Sequence, residues 1–126
     1  MGLDARTPSE YHRYMKDGLY HRDIFLPFDL GYATMLRYSP HARAEAASDK
    51  YGNLTLPMSV STRDAEVIEV EVVNGKPHKA LFRMAHDERR DICIVVLLDS
   101  SVVKTVWCNV RTDAHKTLDA SKYMGA

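Results

Sequence analysis

The sequence predicts an α+β domain in which N-terminal helices pack on a four-stranded antiparallel β-meander, and three observations carry that prediction. Ile92 to Leu98 is an unbroken apolar run, ICIVVLL, with the length and β-branched character of a strand covered on both faces in the middle of a sheet. Asn74-Gly75 stands between two stretches of alternating polarity, the strongest hairpin signal in the chain. Thr7-Pro8-Ser9-Glu10 and Ser39-Pro40 each place a capping hydroxyl before a proline, which is how helices start. Residues 1–126 read as a single domain, 1–53 mainly helical and 54–126 an antiparallel sheet with a polar C-terminal tail.

In order along the chain, the first helix begins at the Thr7–Glu10 capping box, carries Tyr11, Tyr14 and Met15 on one stripe, and ends at Gly18. Leu19 to Tyr38, interrupted by Pro27 and Gly31, offers at most a short helix around Gly31 to Arg37. His41 to Lys50 is rich in alanine, the best helix former and small enough to let a helix sit close on a sheet. Tyr51-Gly52-Asn53 closes it with a glycine suited to a left-handed cap. Leu54 to Pro57 is a short extended piece. In Glu66 to Val72, Ile68, Val70 and Val72 share one face, and Glu69 and Glu71 the other. In His78 to Met84, Ala80, Phe82 and Met84 oppose Lys79, Leu81 and Arg83. The apolar strand after Asp91 turns at Asp99-Ser100-Ser101 and returns as Val102 to Cys108, with Trp107 assigned to the core.

The chain carries 17 Lys plus Arg and 17 Asp plus Glu, so its formal net charge is zero. That argues against bulk electrostatic attraction to nucleic acid or an anionic membrane. There is no apolar run of membrane-spanning length and no signal-peptide pattern, so the expected location is cytoplasmic. Cys93 and Cys108 would lie directly opposite each other if Ser100-Ser101 made a two-residue turn, as reduced thiols or as a cross-strand disulfide; the expected compartment favours thiols. No metal-ligand spacing, glycine-rich phosphate loop or nucleophile motif is present, and no cofactor or metal is expected.

Chemistry is expected in two places. On the hairpin, Glu69 and Glu71 face Lys79 and Arg83 in a register that depends on the loop. A two-residue turn sets Glu71 opposite His78, and a three-residue loop sets it opposite Lys79. Such pairs are either salt bridges on a wet face or a carboxylate base beside a phosphate-holding cation. In the tail, Arg111 to Thr117 is densely polar. His115 has the side chain that titrates near neutrality, with Asp113 two residues before it. Lys104, Lys116 and Thr117 are candidate substrate contacts. His41 and Glu45, one helical turn apart, are either a solvent-facing pair or an accessory acid and base.

Thr112-Asp113-Ala114-His115-Lys116-Thr117-Leu118, a glutamate and an arginine on neighbouring strands, and the Ser39-Pro40-His41-Ala42 helix start resemble the small microbial ribonucleases and RelE/colicin-type toxin nucleases. The resemblance implies a metal-independent endoribonuclease. Glu69 or Glu71 would take the 2′-hydroxyl proton, Arg83 and Lys104 would stabilise the phosphoryl oxygens, and His115 would protonate the leaving oxygen. Lys79, Lys116 and Thr117 would hold the RNA. Such nucleases are usually basic, whereas this chain is neutral. It is equally similar in style to small phage or mobile-element accessory proteins, non-catalytic chains that bind and modulate a host protein or self-associate.

Overall fold

A computed structural model describes residues 15–52, 54–112 and 119–126. The elements in order are β1 (Gly18–His21), β2 (Ala33–Met35), β3 (Arg37–Tyr38), α1 (Pro40–Ala47), β4 (Ser59–Ser61), β5 (Glu66–Val73), β6 (Lys76–Ala85), β7 (Arg90–Leu97), β8 (Val102–Val110) and a 3-10 turn (Ala120–Lys122). A six-stranded sheet runs β1-β5-β6-β7-β8-β3, with β3 parallel to β8 and every other neighbour antiparallel. Strands β2 and β4 form a separate ribbon.

This corrects the expected fold class. The four-strand meander is present as β5 to β8, but a strand is added at each edge, so the sheet is mixed and has six strands. The described chain is 46% strand and only 10% helical, so the expected architecture of N-terminal helices packed on a four-stranded meander is overturned. The predicted first helix falls largely on residues 1–14, outside the described residues. Its predicted last residue, Gly18, instead opens β1 and pairs with Val72. Strands of two to four residues carry no readable periodicity, and their pairing partners lie far along the chain. The short helix expected near Gly31 to Arg37 is strand (β2, β3) for the same reason.

The second helix forms as its chemistry predicts, but shorter. The Ser39 hydroxyl accepts from the Ala42 N–H at 3.0 Å, Pro40 occupies the first turn, and the helix ends at Ala47. Ala42 and Ala46 are buried against the sheet, the close approach that small side chains allow. Tyr20, Val70, Val72, Ala80, Phe82, Ile92, Ile94, Val96, Val103, Val106 and Cys108 form the sheet's contribution to one core, and Leu26, Phe28, Leu30, Tyr32, Leu36 and Leu56 pack against it. Each fully buried Val, Ile or Phe contributes roughly 1.5–3 kcal/mol. No helix among the described residues is long and apolar enough to cross a membrane.

Three bulges set which side chains share a face. Asn74 and Gly75 both have positive φ (54° and 74°), so the turn has two residues and Val73 pairs with Lys76. His78 is then an extra residue on β6, and it brings Glu71 opposite Lys79 even though the turn is the short one. Ile68 is an extra residue on β5, and it brings Glu66 opposite Arg83. On β8, Lys104 is extra, so Val103 and Val106 both reach the core. Leu98 to Ser101 form the β7–β8 loop, closed by the Ser101 N–H on the Leu97 carbonyl at 2.8 Å. Cys93 therefore pairs with Trp107, and Cys108 pairs with Ile92. The cysteines point to opposite faces and both are free, so the directly opposed arrangement is corrected.

Candidate functional site

The face of the sheet away from the core is where the candidate residues lie. By strand alternation it carries Glu69 and Glu71 of β5, Lys79, Leu81 and Arg83 of β6, Asp91, Cys93, Val95 and Leu97 of β7, and Thr105, Trp107 and Asn109 of β8. The expectation of a central strand covered on both faces is half right. Ile92, Ile94 and Val96 are buried in the core, while Val95 and Leu97 stay half-buried. Trp107, expected in the core, is half-buried on this outer face beside Cys93. The physical reason is the register: the residue that shares a face with Ile92 and Ile94 is Cys108, not its neighbour.

At one end of this face a polar cleft of about 420 Å³ is lined by Arg22, Asp64, Glu66, Arg83, Asp91 and Arg111, with Thr112 at its wall. Its centre is Asp91. The Nε–H of Arg83 donates to one carboxylate oxygen at 2.8 Å and that of Arg111 to the other at 2.8 Å. Arg83 also reaches the carbonyls of Val110 and Arg111, both at 3.3 Å. Partial burial opposes ionisation of Asp91, but the hydrogen bonds from Arg111 and Arg83 outweigh it and hold the carboxyl below the usual range. Burial likewise works against the Arg83 charge, and the Asp91 bond outweighs it. Arg22 is hydrogen-bonded to Glu66. Three cations, Arg22, Arg83 and Arg111, thus pair with two carboxylates, Glu66 and Asp91, within the cleft.

The remaining predicted site residues are strung along the face. Glu71 and Lys79 pair at 3.8 Å, four residues up β6 from Arg83 and so roughly 13 Å away. Glu69 accepts a hydrogen bond from the Tyr123 hydroxyl at 2.5 Å. Lys104 is exposed at the β8 bulge, two strands across and three residues along from Arg83, roughly 14 Å by backbone spacing. His115, Lys116 and Thr117 lie outside the described residues. Glu45 holds His41 at 3.3 Å and uses its other oxygen to accept the Val106 N–H at 3.1 Å, which ties α1 to the edge of β8. The residues that the sequence reading missed are Glu66, Asp91, Arg111 and Arg22. Asp91 was visible as the one carboxylate heading the apolar run, but its partners depend on bulged registers.

No protein-family model, curated protein or solved structure matches the chain.

The site must therefore be read from its own chemistry. The cleft is a closed ion-pair network that ties the ends of β6, β7 and β8 to the turns beside them. Beyond it, the middle of the outer face presents Leu81, Val95, Leu97 and Trp107. Leu26, Phe28, Leu30, Tyr32, Leu36 and Leu56 of the interstrand segments pack on the core. No group of His, Cys, Asp and Glu suited to a metal ion occurs among the described residues.

Proposed function

We propose that this chain is a non-catalytic interaction protein that docks a partner protein, a host protein in the case of a phage or mobile-element chain, through the outer face of its sheet. The observation that carries the reading is the make-up of that face. An apolar centre of Leu81, Val95, Leu97 and Trp107 is rimmed by Glu71 and Lys79 at one end and by the ion-pair cleft at the other. An aromatic anchor inside a polar rim is the anatomy of a protein interface. The test is capture with Val95→Glu and Trp107→Glu beside the native chain, followed by identification of the bound protein and reconstitution of the pair. Binding lost in both variants, with circular dichroism unchanged, supports the reading. A partner held equally by all three chains, or no partner at all, rejects it.

A second reading keeps the metal-independent endoribonuclease, because Glu66 faces Arg83 in a cleft whose wall ends at Thr112, directly before the segment holding His115, Lys116 and Thr117. In it a glutamate accepts the 2′-hydroxyl proton, the 2′-oxygen attacks phosphorus, Arg83 stabilises the phosphoryl charge, and His115 protonates the departing 5′-oxygen. It stands second because Arg83, Arg111 and Arg22 are each already paired with a carboxylate, and Lys104 is remote. Mixed RNA incubated in EDTA with the native chain and with His115→Ala decides it: cleavage by the native chain alone supports this reading, and no cleavage or equal cleavage ends it.

A further inference from the structure

Residues 119–126 lie along β1. Asp119 caps the 3-10 turn, accepting from the Ser121 N–H at 3.1 Å and the Ser121 hydroxyl at 2.6 Å. The Met124 N–H donates to the Leu19 carbonyl at 2.8 Å. A Cβ on Gly125 would sit 2.7 Å from Phe25 Cβ, so that approach needs glycine, and one on Gly18 would sit 2.8 Å from the Met124 sulfur and displace the end of that side chain. Between these contacts Tyr123 turns onto the outer face, its hydroxyl on Glu69 at 2.5 Å and its ring edge-on to His21 with centroids 5.0 Å apart.

His21 is 2% exposed and pairs with Glu69 in the β1–β5 register. Its Nδ1 accepts the Asp23 N–H at 3.1 Å. A backbone N–H can only donate, so this nitrogen carries a lone pair and the ring is neutral in the closed structure. The titratable and charged groups that the described elements bring toward the ring are Glu69 on β5, Tyr123 of the terminal segment, with Asp119 near that phenol, and Asp23 and Arg22 of the turn after β1. Arg22 is held by Glu66 and by Asp23 at 3.5 Å. A second proton on His21 would set Nδ1–H against the Asp23 N–H, and it would make the imidazolium a stronger partner for Glu69 than the neutral phenol.

We infer that His21, Glu69 and Tyr123 form a pH-sensitive clasp: protonation of His21 draws Glu69 from Tyr123 to the imidazolium and releases residues 119–126 from β1 while the sheet stays folded. The terminal segment is held by few bonds and is largely exposed, as a unit that opens separately should be. The sign is fixed by the neutral ring. The clasp is closed above the His21 titration and opens as pH falls through it.

The experiment follows Met124 and Gly125 amide resonances and the His21 ring resonance by NMR between about pH 5 and 8, the window in which histidine titrates. The expected result is one shared midpoint, with the amides of β6 and β7 unmoved and with the transition absent in His21→Gln. Because His21 is buried, Glu69→Gln provides the second variant. It keeps an acceptor for Tyr123 but removes the charge that attracts the imidazolium, and it should shift the midpoint down by about one pH unit. A terminal segment that stays in place while His21 titrates overturns the inference, as does an unchanged transition in both variants.

Discussion

Replacing Asp91 by asparagine tests whether the cleft is first of all a structural clamp. Asp91 and Arg83 expose only 14% and 9% of their side chains, and their bond is 2.8 Å. The Arg111 side chain is 42% exposed, so its bond to Asp91 adds little, about 0–1 kcal/mol. Removing the charge of Asp91 takes from the largely buried Arg83 guanidinium the carboxylate that accepts its Nε–H. Breaking a buried pair costs roughly 3–5 kcal/mol, and the asparagine oxygen keeps one bond, so about 3 kcal/mol is expected. With a urea slope of about 1.5 kcal/mol/M for a chain of this size, the midpoint should fall by about 2 M. Trp107 is the single tryptophan and sits beside Cys93, which pairs with Arg83, so its emission reports the transition directly. The pH dependence has a definite sign. Asp91 is held below its unfolded value near 3.9, so its contribution is complete above that value and disappears as pH falls through the folded one. The difference between the native chain and Asp91→Asn should begin to shrink below about pH 4 and vanish only once pH has passed the lowered folded value. Arg83→Met combined with Asp91→Leu should recover much of the loss, since no buried charge is then left unpaired. A midpoint within about 0.3 M of the native chain in Asp91→Asn would refute the clamp.

Three further outcomes are expected. Cys93 and Cys108 should give no disulfide on a non-reducing gel after air oxidation and should react with a thiol reagent only in denaturant, since they face opposite sides of the sheet and burial pushes the Cys93 thiol up to about 12. Gly75→Ala forces a side chain into a φ of 74° and should cost about 1 kcal/mol, read as a fall of about 4 °C in Tm, whereas Asn74→Gly should leave Tm nearly unchanged. Glu45→Ala strips the acceptor from the Val106 N–H and should cost about 1–2 kcal/mol in urea unfolding, while His41→Ala, at the exposed end of the same pair, should cost less than about 0.5 kcal/mol.

What could be read from the sequence was local. The Ser39-Pro40 cap, the alanines of α1, the Asn74-Gly75 turn and the apolar β7 each rest on chemistry within a few residues, and each appears in the structure. What could not be read was non-local. Gly18 as a glycine after a polar stretch looks like a helix end; only pairing with Val72 makes it a strand start. Arg37-Tyr38 has no strand signal of its own, and it becomes one because Ser101 and Val103 offer carbonyls to the Arg37 and Ser39 N–H groups at 3.0 Å. Trp107 was misplaced because one extra residue at Lys104 reverses the side on which every later residue of β8 lies. Of the candidate site, Arg83 was found, and the group that holds it was not.

The bulges also explain why the outer face divides into a charged end and an apolar middle. Carried past Glu69 without an extra residue, the β5–β6 register would set Val67 opposite Arg83, and the arginine would have an apolar neighbour. Ile68 moves the register by one, so that Glu66 takes that place and the arginines meet carboxylates on both sides. Glu66-Val67-Ile68-Glu69 nevertheless reads as an ordinary strand, because one extra residue in an apolar stretch leaves no mark in hydropathy. At the other end His78 performs the same shift and joins Glu71 to Lys79. The polar pairs are thereby gathered at the rim, and Leu81, Val95, Leu97 and Trp107 are left with no charge among them. A catalytic face would be expected to hold an unpaired base and an unpaired cation at its centre, as the resemblance to ribonucleases required of Glu69, Glu71 and Arg83. Here each of those three has a partner, and the open centre is apolar; that distribution is why docking is ranked above cleavage.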